Sequence, residues 1–289
     1  TSLQLVALAD TQLDGLASSP FLTLANTQLD AFHSSQLLGL AATQLNGLDS
    51  AQLAGLANTQ LDSLTSAQLT SFHNTQLAGL TSAQLAGLAN TQLDGLDSDR
   101  LMAIKHTQLD GLNSWQLTGL SNTQLDGLGS GMVTGLADTQ LDGLRSGQLG
   151  WFSGVQLRGL SSSQLYALAV TQLDGLRSSQ ISGLSTMQIG GLSSAQLASL
   201  AETQLDGMGS DQVIILSISQ MVGLSSSQLS SLANTQLATM TSAILASLSE
   251  VQLNGMTSSY LSKLANTQLD GLGSAQLLSL ANTQLNGLT

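Results

Sequence analysis

The stretch TSAQLAGL-ANTQLDGL, residues 81–96, contains the whole design of the chain. It is two octads of one pattern, and the pattern runs through all 289 residues without insertion or deletion. Octad positions are numbered here by residue number modulo eight. Position 4 is Gln, position 5 is Leu, position 7 is mostly Gly and position 0 is Leu. Positions 5 and 0 are apolar in every octad; where Leu is replaced, as by Phe21, Phe72, Ile104, Val133 or Met208, the substitute is apolar too. These two rows are the expected core. Trp115, Trp151, Tyr166 and Tyr260 fall at other positions, so the amphipathic aromatics are expected outside it.

A second period of sixteen lies on the first. Octads alternate between an A type, ANTQLDGL (89–96), and a B type, TSAQLAGL (81–88). The A-type Gln is never replaced, from Gln12 to Gln284. The replacements Pro20, Arg100, Met132, Ile244 and Tyr260 are all in B octads. Ser at position 2 is complete in B octads, from Ser2 to Ser274, and drifts in A octads. One octad buries too little apolar surface to offset the ordering of eight residues, so stability must come from stacked neighbours. The expected fold is an all-α solenoid of very short helices, with two octads, sixteen residues, per coil and about 18 coils. The alternative is a β-solenoid with sixteen-residue coils.

The choice between them rests on local chemistry. A continuous helix would let the apolar stripe drift by about 80° per octad. A spacing of three between positions 5 and 0 suits one short helical turn. Ser at position 2 is a fitting N-cap, and Pro20 would fall in a first turn. Gly at position 7 could end the turn in the left-handed region. Asp94, Asp110, Asp126 and Asp142 would stand on four successive sixteen-residue coils. Strand stacking would bring those carboxylates to about 4.8 Å, whereas helix stacking keeps them ~8–10 Å apart. No composition break divides the chain, so 1–289 reads as a single uninterrupted solenoid. Neither end carries a polar cap repeat, which predicts a segment of a longer array.

Composition removes several functions. Charged residues make up 8% and net charge is −12, against roughly 25% charged residues in an ordinary soluble domain. With only six cations, Arg100, Lys105, Arg145, Arg158, Arg177 and Lys263, the composition argues against a nucleic-acid backbone or an anionic membrane surface as partner. No run approaches a membrane span of about 18 apolar residues. There is no cysteine, which excludes disulfides, thiolate metal sites and Cys nucleophiles. His33, His73 and His106 stand tens of residues apart without metal-ligand spacing, and no Ser/His/Asp set can be assembled from them. Glu202 and Glu250 make no acid–base pair. GLGSGM (127–132) lacks the phosphate-loop Lys and dinucleotide spacing. No catalytic, cofactor or metal residue is therefore assigned, and the chain is not expected to be an enzyme.

Three rows could bind something or hold the fold together. Asp at position 6 of A octads comprises Asp14, Asp30, Asp62, Asp94, Asp110, Asp126, Asp142, Asp174, Asp206 and Asp270. Ca²⁺ is the ion it could hold, though one carboxylate per repeat falls short of the six to eight oxygens calcium takes. The Thr row from Thr11 to Thr139 resembles the Thr arrays of ice-binding solenoids, but it is one residue wide and is broken by Val155, Met187 and Val251. The unbroken A-type Gln row reads as internal, which predicts that Gln124→Leu is more damaging than Gln116→Leu.

LTSAQLAGL (80–88) resembles the L-T-P-E-Q-[VI]-x-x-[IL] helix start that opens transcription-activator-like effector repeats, a likeness limited to one octad. Over the whole chain the octad is similar to the LTxxQ[ILV]xxL tracts of very long bacterial adhesin-like proteins. That resemblance implies a structural protein, extracellular or on the bacterial cell surface: a stiff rod or spacer, or a self-assembling filament segment. Self-association, end to end or lateral through Trp115 and Trp151, is the expected partnership. A calcium-binding or ice-binding adhesin module is the alternative.

Overall fold

The computed structural model describes Gln4, Ala7, Leu8, Asp10–Leu13 and residues 15–286. Ser2, Leu5, Asp14, Leu288 and Thr289, and the side chain of Thr11, lie outside the described residues. The chain forms two compact units, Thr1–Leu144 and Arg145–Thr289. The same local rules build each.

Among the described residues the regular secondary structure is helical, with no strand. From Asn26 onward each octad folds into one helix of four to six residues, such as Ser82–Gly87 and Asn90–Leu93 in the first unit and Ser194–Ser199 in the second. The helix starts at position 2. Position 1 is extended, with φ −82° and ψ 161° at Thr81, and position 0 is extended as well, with φ −65° and ψ 137° at Leu88. Two extended residues therefore bend the chain between successive helical turns. Leu96 N–H closes the turn on the Leu93 carbonyl at 3.0 Å.

This places the N-cap at position 1, where the sequence reading had put it at position 2. The Thr81 hydroxyl accepts from Gln84 N–H at 3.1 Å, and Asp49 caps Gln52 N–H at 2.8 Å. Position 2 is already the first helical residue, so its side chain is free for contacts between turns.

Coil length is the second correction. Helix Ser82–Gly87 packs against Asn58–Leu61 and His106–Leu109, each three octads away. In the second unit Ser194–Ser199 packs against Val170–Leu173 and Ile218–Gly223, again three octads away. Side-chain hydrogen bonds also reach four octads back: Gln92 Nε2 donates to the Leu61 carbonyl at 3.0 Å. One winding thus holds between three and four octads, not two. The octads relate to this superhelix as residues relate to an α-helix, with near neighbours at +3 and +4.

The sixteen-residue period follows from that step. Three is odd, so each A octad meets B octads at +3; four is even, so it meets its own kind at +4. The A–B contact is asymmetric. A Cβ built on Gly111, at position 7 of an A octad, would lie 2.0 Å from the Ser82 carbonyl oxygen of a B octad. On Gly47 it would lie 2.2 Å from Ser18 O, and on Gly175, in the second unit, 1.9 Å from Ser146 O. The reverse contact is made by side chains, not backbone: a Cβ on B-octad Gly87 or Gly183 would meet nothing nearer than 3.4 and 3.8 Å, and on Gly55 or Gly119 it would meet the movable Asn26 or Asn90 amide at 2.6 Å. Hence position 7 carries Trp151, Ile215 and Lys263 in B octads, but in A octads only Gly, Ala31, Ser63 or Thr239. No described glycine has positive φ. The A-row glycines serve close backbone approach, not the left-handed turn end expected from sequence.

The leucine rows are the core. Leu85, Leu93, Leu117, Leu197 and Leu229 are buried, with their position-0 partners Leu88, Leu96, Leu120, Leu200 and Leu232. Near the described ends, Leu16, Leu277 and Leu285 are exposed. Trp115, Trp151 and Tyr166 lie outside as expected. Tyr260 does not. It is buried, because position 4 points inward and its hydroxyl finds the Leu237 carbonyl at 3.1 Å.

Gly111→Ala is expected to cost about 1–3 kcal/mol through overpacking against Ser82, while Gly87→Ala leaves stability unchanged or slightly raised. Thermal denaturation of the two variants checks the asymmetry: equal melting temperatures would remove it.

Candidate functional site

From Gln44 onward the described glutamines form a recurring three-way junction. In an A octad, Gln124 Oε1 accepts the Ser121 N–H at 2.8 Å. Its Nε2 donates to the Leu93 carbonyl at 2.8 Å and the Leu96 carbonyl at 2.7 Å. One amide thus satisfies an orphan donor at its own helix start and two orphan acceptors at a helix end four octads earlier. The local half of this is a capping box, in which Gln at the third helical position reaches back to the N-cap. The Thr or Ser at position 1 followed by Gln at position 4 was a readable signal for it. The second unit repeats the junction: Gln196 Oε1 accepts from Ser193 N–H at 2.9 Å, and Nε2 donates to Leu165 and Leu168 carbonyls at 3.0 and 2.8 Å.

B-octad glutamines do the same. Gln116 is as buried as Gln124 and donates to the Leu85 and Leu88 carbonyls at 3.2 and 2.7 Å. The expected difference between the two rows is not found, because the +4 step gives A and B octads the same carbonyl partners. Nothing in the structure explains why the replacements of Gln are confined to B octads. Two of them find other partners. Arg100 turns back to pair with the side chain of its own N-cap, Asp97, and the Tyr260 hydroxyl donates to the Leu237 carbonyl, three octads earlier instead of four.

The Asp and Thr rows, which sequence reading treated separately, are the two lips of one groove. In the first unit Asn46 and Thr75 line an open groove of about 520 Å³, and Asp110 and Thr139 line its counterpart of about 610 Å³. Asn46 Oδ1 is buried there without a partner. A similar groove in the second unit contains Asn254, Met256 and Ala281. Some departures from the two rows fall together in this register, Arg158 with Met187, Gly190 with Ser219 and Val222 with Val251, while Ala78, Ala238 and Val155 depart singly. The Thr row therefore borders a groove, not a flat face.

Asp94 and Asp110, two octads apart, are not winding neighbours as the sixteen-residue coil had implied; the four-octad row joins Asp62, Asp94 and Asp126. Among the described residues no three side chains of metal-binding type converge. His33, His73 and His106 are exposed and separate. His73 lines the first groove near Asp49, with Nδ1 3.2 Å from its own Gln76 Oε1. No described helix is long and apolar enough to cross a membrane. The chain matches no protein-family model and no curated protein.

Gln124→Leu and Gln116→Leu are both expected to lower stability by at least the ~1–3 kcal/mol of one orphaned buried polar group, and to similar extents in chemical denaturation. A second prediction concerns pH. Burial pushes the Tyr260 phenol well above its ordinary value of 10.0. The unfolded chain loses that proton as pH passes about 10 while the folded chain keeps it. Stability should therefore fall as pH rises above about 10, and Tyr260→Phe should flatten that part of the pH–melting curve.

Proposed function

We propose that the chain is a structural spacer: a repeat whose task is to hold a fixed, mechanically resistant geometry in a bacterial surface or secreted protein. The observation that carries this reading is the glutamine junction. It recurs along both units and ties helix after helix to one four octads earlier through buried bonds, with the leucine core beneath. Tension along the chain meets many equivalent rungs, so each winding resists on its own account. The likeness of the octad to adhesin-like repeat tracts supports the surface or secreted setting.

Single-molecule pulling on the chain held at both ends tests the proposal. Extension should proceed through repeated small unfolding steps, each releasing a few octads, and Gln124→Leu should lower the force of the steps nearest it. A chain that extends smoothly without resistance ends the spacer reading.

A further inference from the structure

The charges are unevenly spread. Residues 1–144 hold twelve carboxylates and two cations, while residues 145–289 hold six carboxylates and four cations. Between Arg145 and Ala201 three arginines are accompanied by one carboxylate, Asp174. Arg145, Arg158 and Arg177 are exposed, and none forms an ion pair among the described residues. The Arg177 guanidinium lies over the Trp151 ring, 5.7 Å from its centroid. Trp151 is 56% exposed. Arg158 occupies the position that Asp holds in most A octads, and Met187 takes the Thr position paired with it. One stretch of the second unit has thus exchanged acid for base and hydroxyl for apolar surface. Arginine beside exposed aromatics is the chemistry of protein-binding hot spots.

We propose that this arginine and aromatic face docks onto the aspartate rows of the first unit of a second copy. Charge and spacing select that partner. Arg145 and Arg177 are four octads apart at the same octad position. Asp62, Asp94 and Asp126 follow one another at the same interval, all exposed. Both surfaces are written on the same lattice, so two guanidiniums meet two carboxylates in register, and Trp151 gains cover. A nucleic acid or anionic membrane would gain the same three arginines but would be repelled by the carboxylates carried elsewhere on the chain. Each exposed pair is weak alone; several in register act together. The inference rests on the spacer reading only in taking the partner to be another copy.

Sedimentation velocity of the full chain at about 0.02 M and about 0.5 M NaCl tests it, since these salts lie on either side of a Debye length of ~10 Å. Association is expected at low salt and dispersal at high salt. Arg145→Glu/Arg158→Glu/Arg177→Glu should stay single at both, with an unchanged melting curve. Mixing it with Asp62→Arg/Asp94→Arg/Asp126→Arg should restore association. If the triple variant melts lower, Trp151→Ala is read in its place, with weaker association expected. Association that is indifferent to salt, or kept by the arginine variant, overturns the proposal. So does a wild-type chain that stays single at low salt, or one that only captures heparin or DNA there. Those results leave the pulling experiment untouched, and smooth extension under force leaves the docking untouched.

Discussion

The buried glutamine amide is the interaction on which both units depend. A helix of four to six residues is nearly all terminus: few of its backbone groups have a partner inside it. Stacking such helices in a dry core would strand many donors and acceptors, each costly to bury unpaired. A residue at position 4 with one acceptor and two donor hydrogens resolves this. Its oxygen closes the start of its own helix, and its nitrogen closes the end of another. Asn is too short to span both, and Glu offers no donor to the carbonyls. Leucine rows supply the burial, but without the amide the burial would be opposed by the backbone.

The winding number decides what each row is for. With neighbours at three and four octads, each octad touches both types, and the three-octad contact always joins A to B. Ser82 against Gly111 and Ser146 against Gly175 show how close that contact is. Backbone meets backbone there, so A-octad position 7 is held to Gly or, at Ala31, Ser63 and Thr239, to a small residue. The reverse contact leaves room, and B octads use it for residues as large as Trp151. The alternation in sequence is thus the imprint of an odd stacking step.

Outward rows inherit the same lattice. Asp and Thr, read as separate stripes, border common grooves because position 6 of one A octad comes beside position 3 of another more than three octads later. Arg158 and Met187, and Val222 and Val251, are replaced together in that register. Surface chemistry can be altered in patches without touching the glutamine junction, since at position 6 only the backbone carbonyl takes part in it, as at Asp62 and Tyr166.

From the residues alone, the helical solenoid, the two leucine rows and the internal A-type glutamines could be derived. Each depends on local spacing and on the poor fit of odd leucine intervals to a strand. The capping box is equally local, in Thr81 and Gln84, whereas the complete B-type Ser row, as at Ser82, packs against a distant glycine. Tyr260 was placed outside the core because a phenol is amphipathic; only the folded chain shows a carbonyl within reach of its hydroxyl. The number of octads per winding was decided by tertiary structure. A strict repeat looks the same from every octad, so its period says that neighbours are equivalent and not how many octads away they lie. That distance is set by the bend at the two extended residues and by the reach of the glutamine side chain, both properties of the assembled winding.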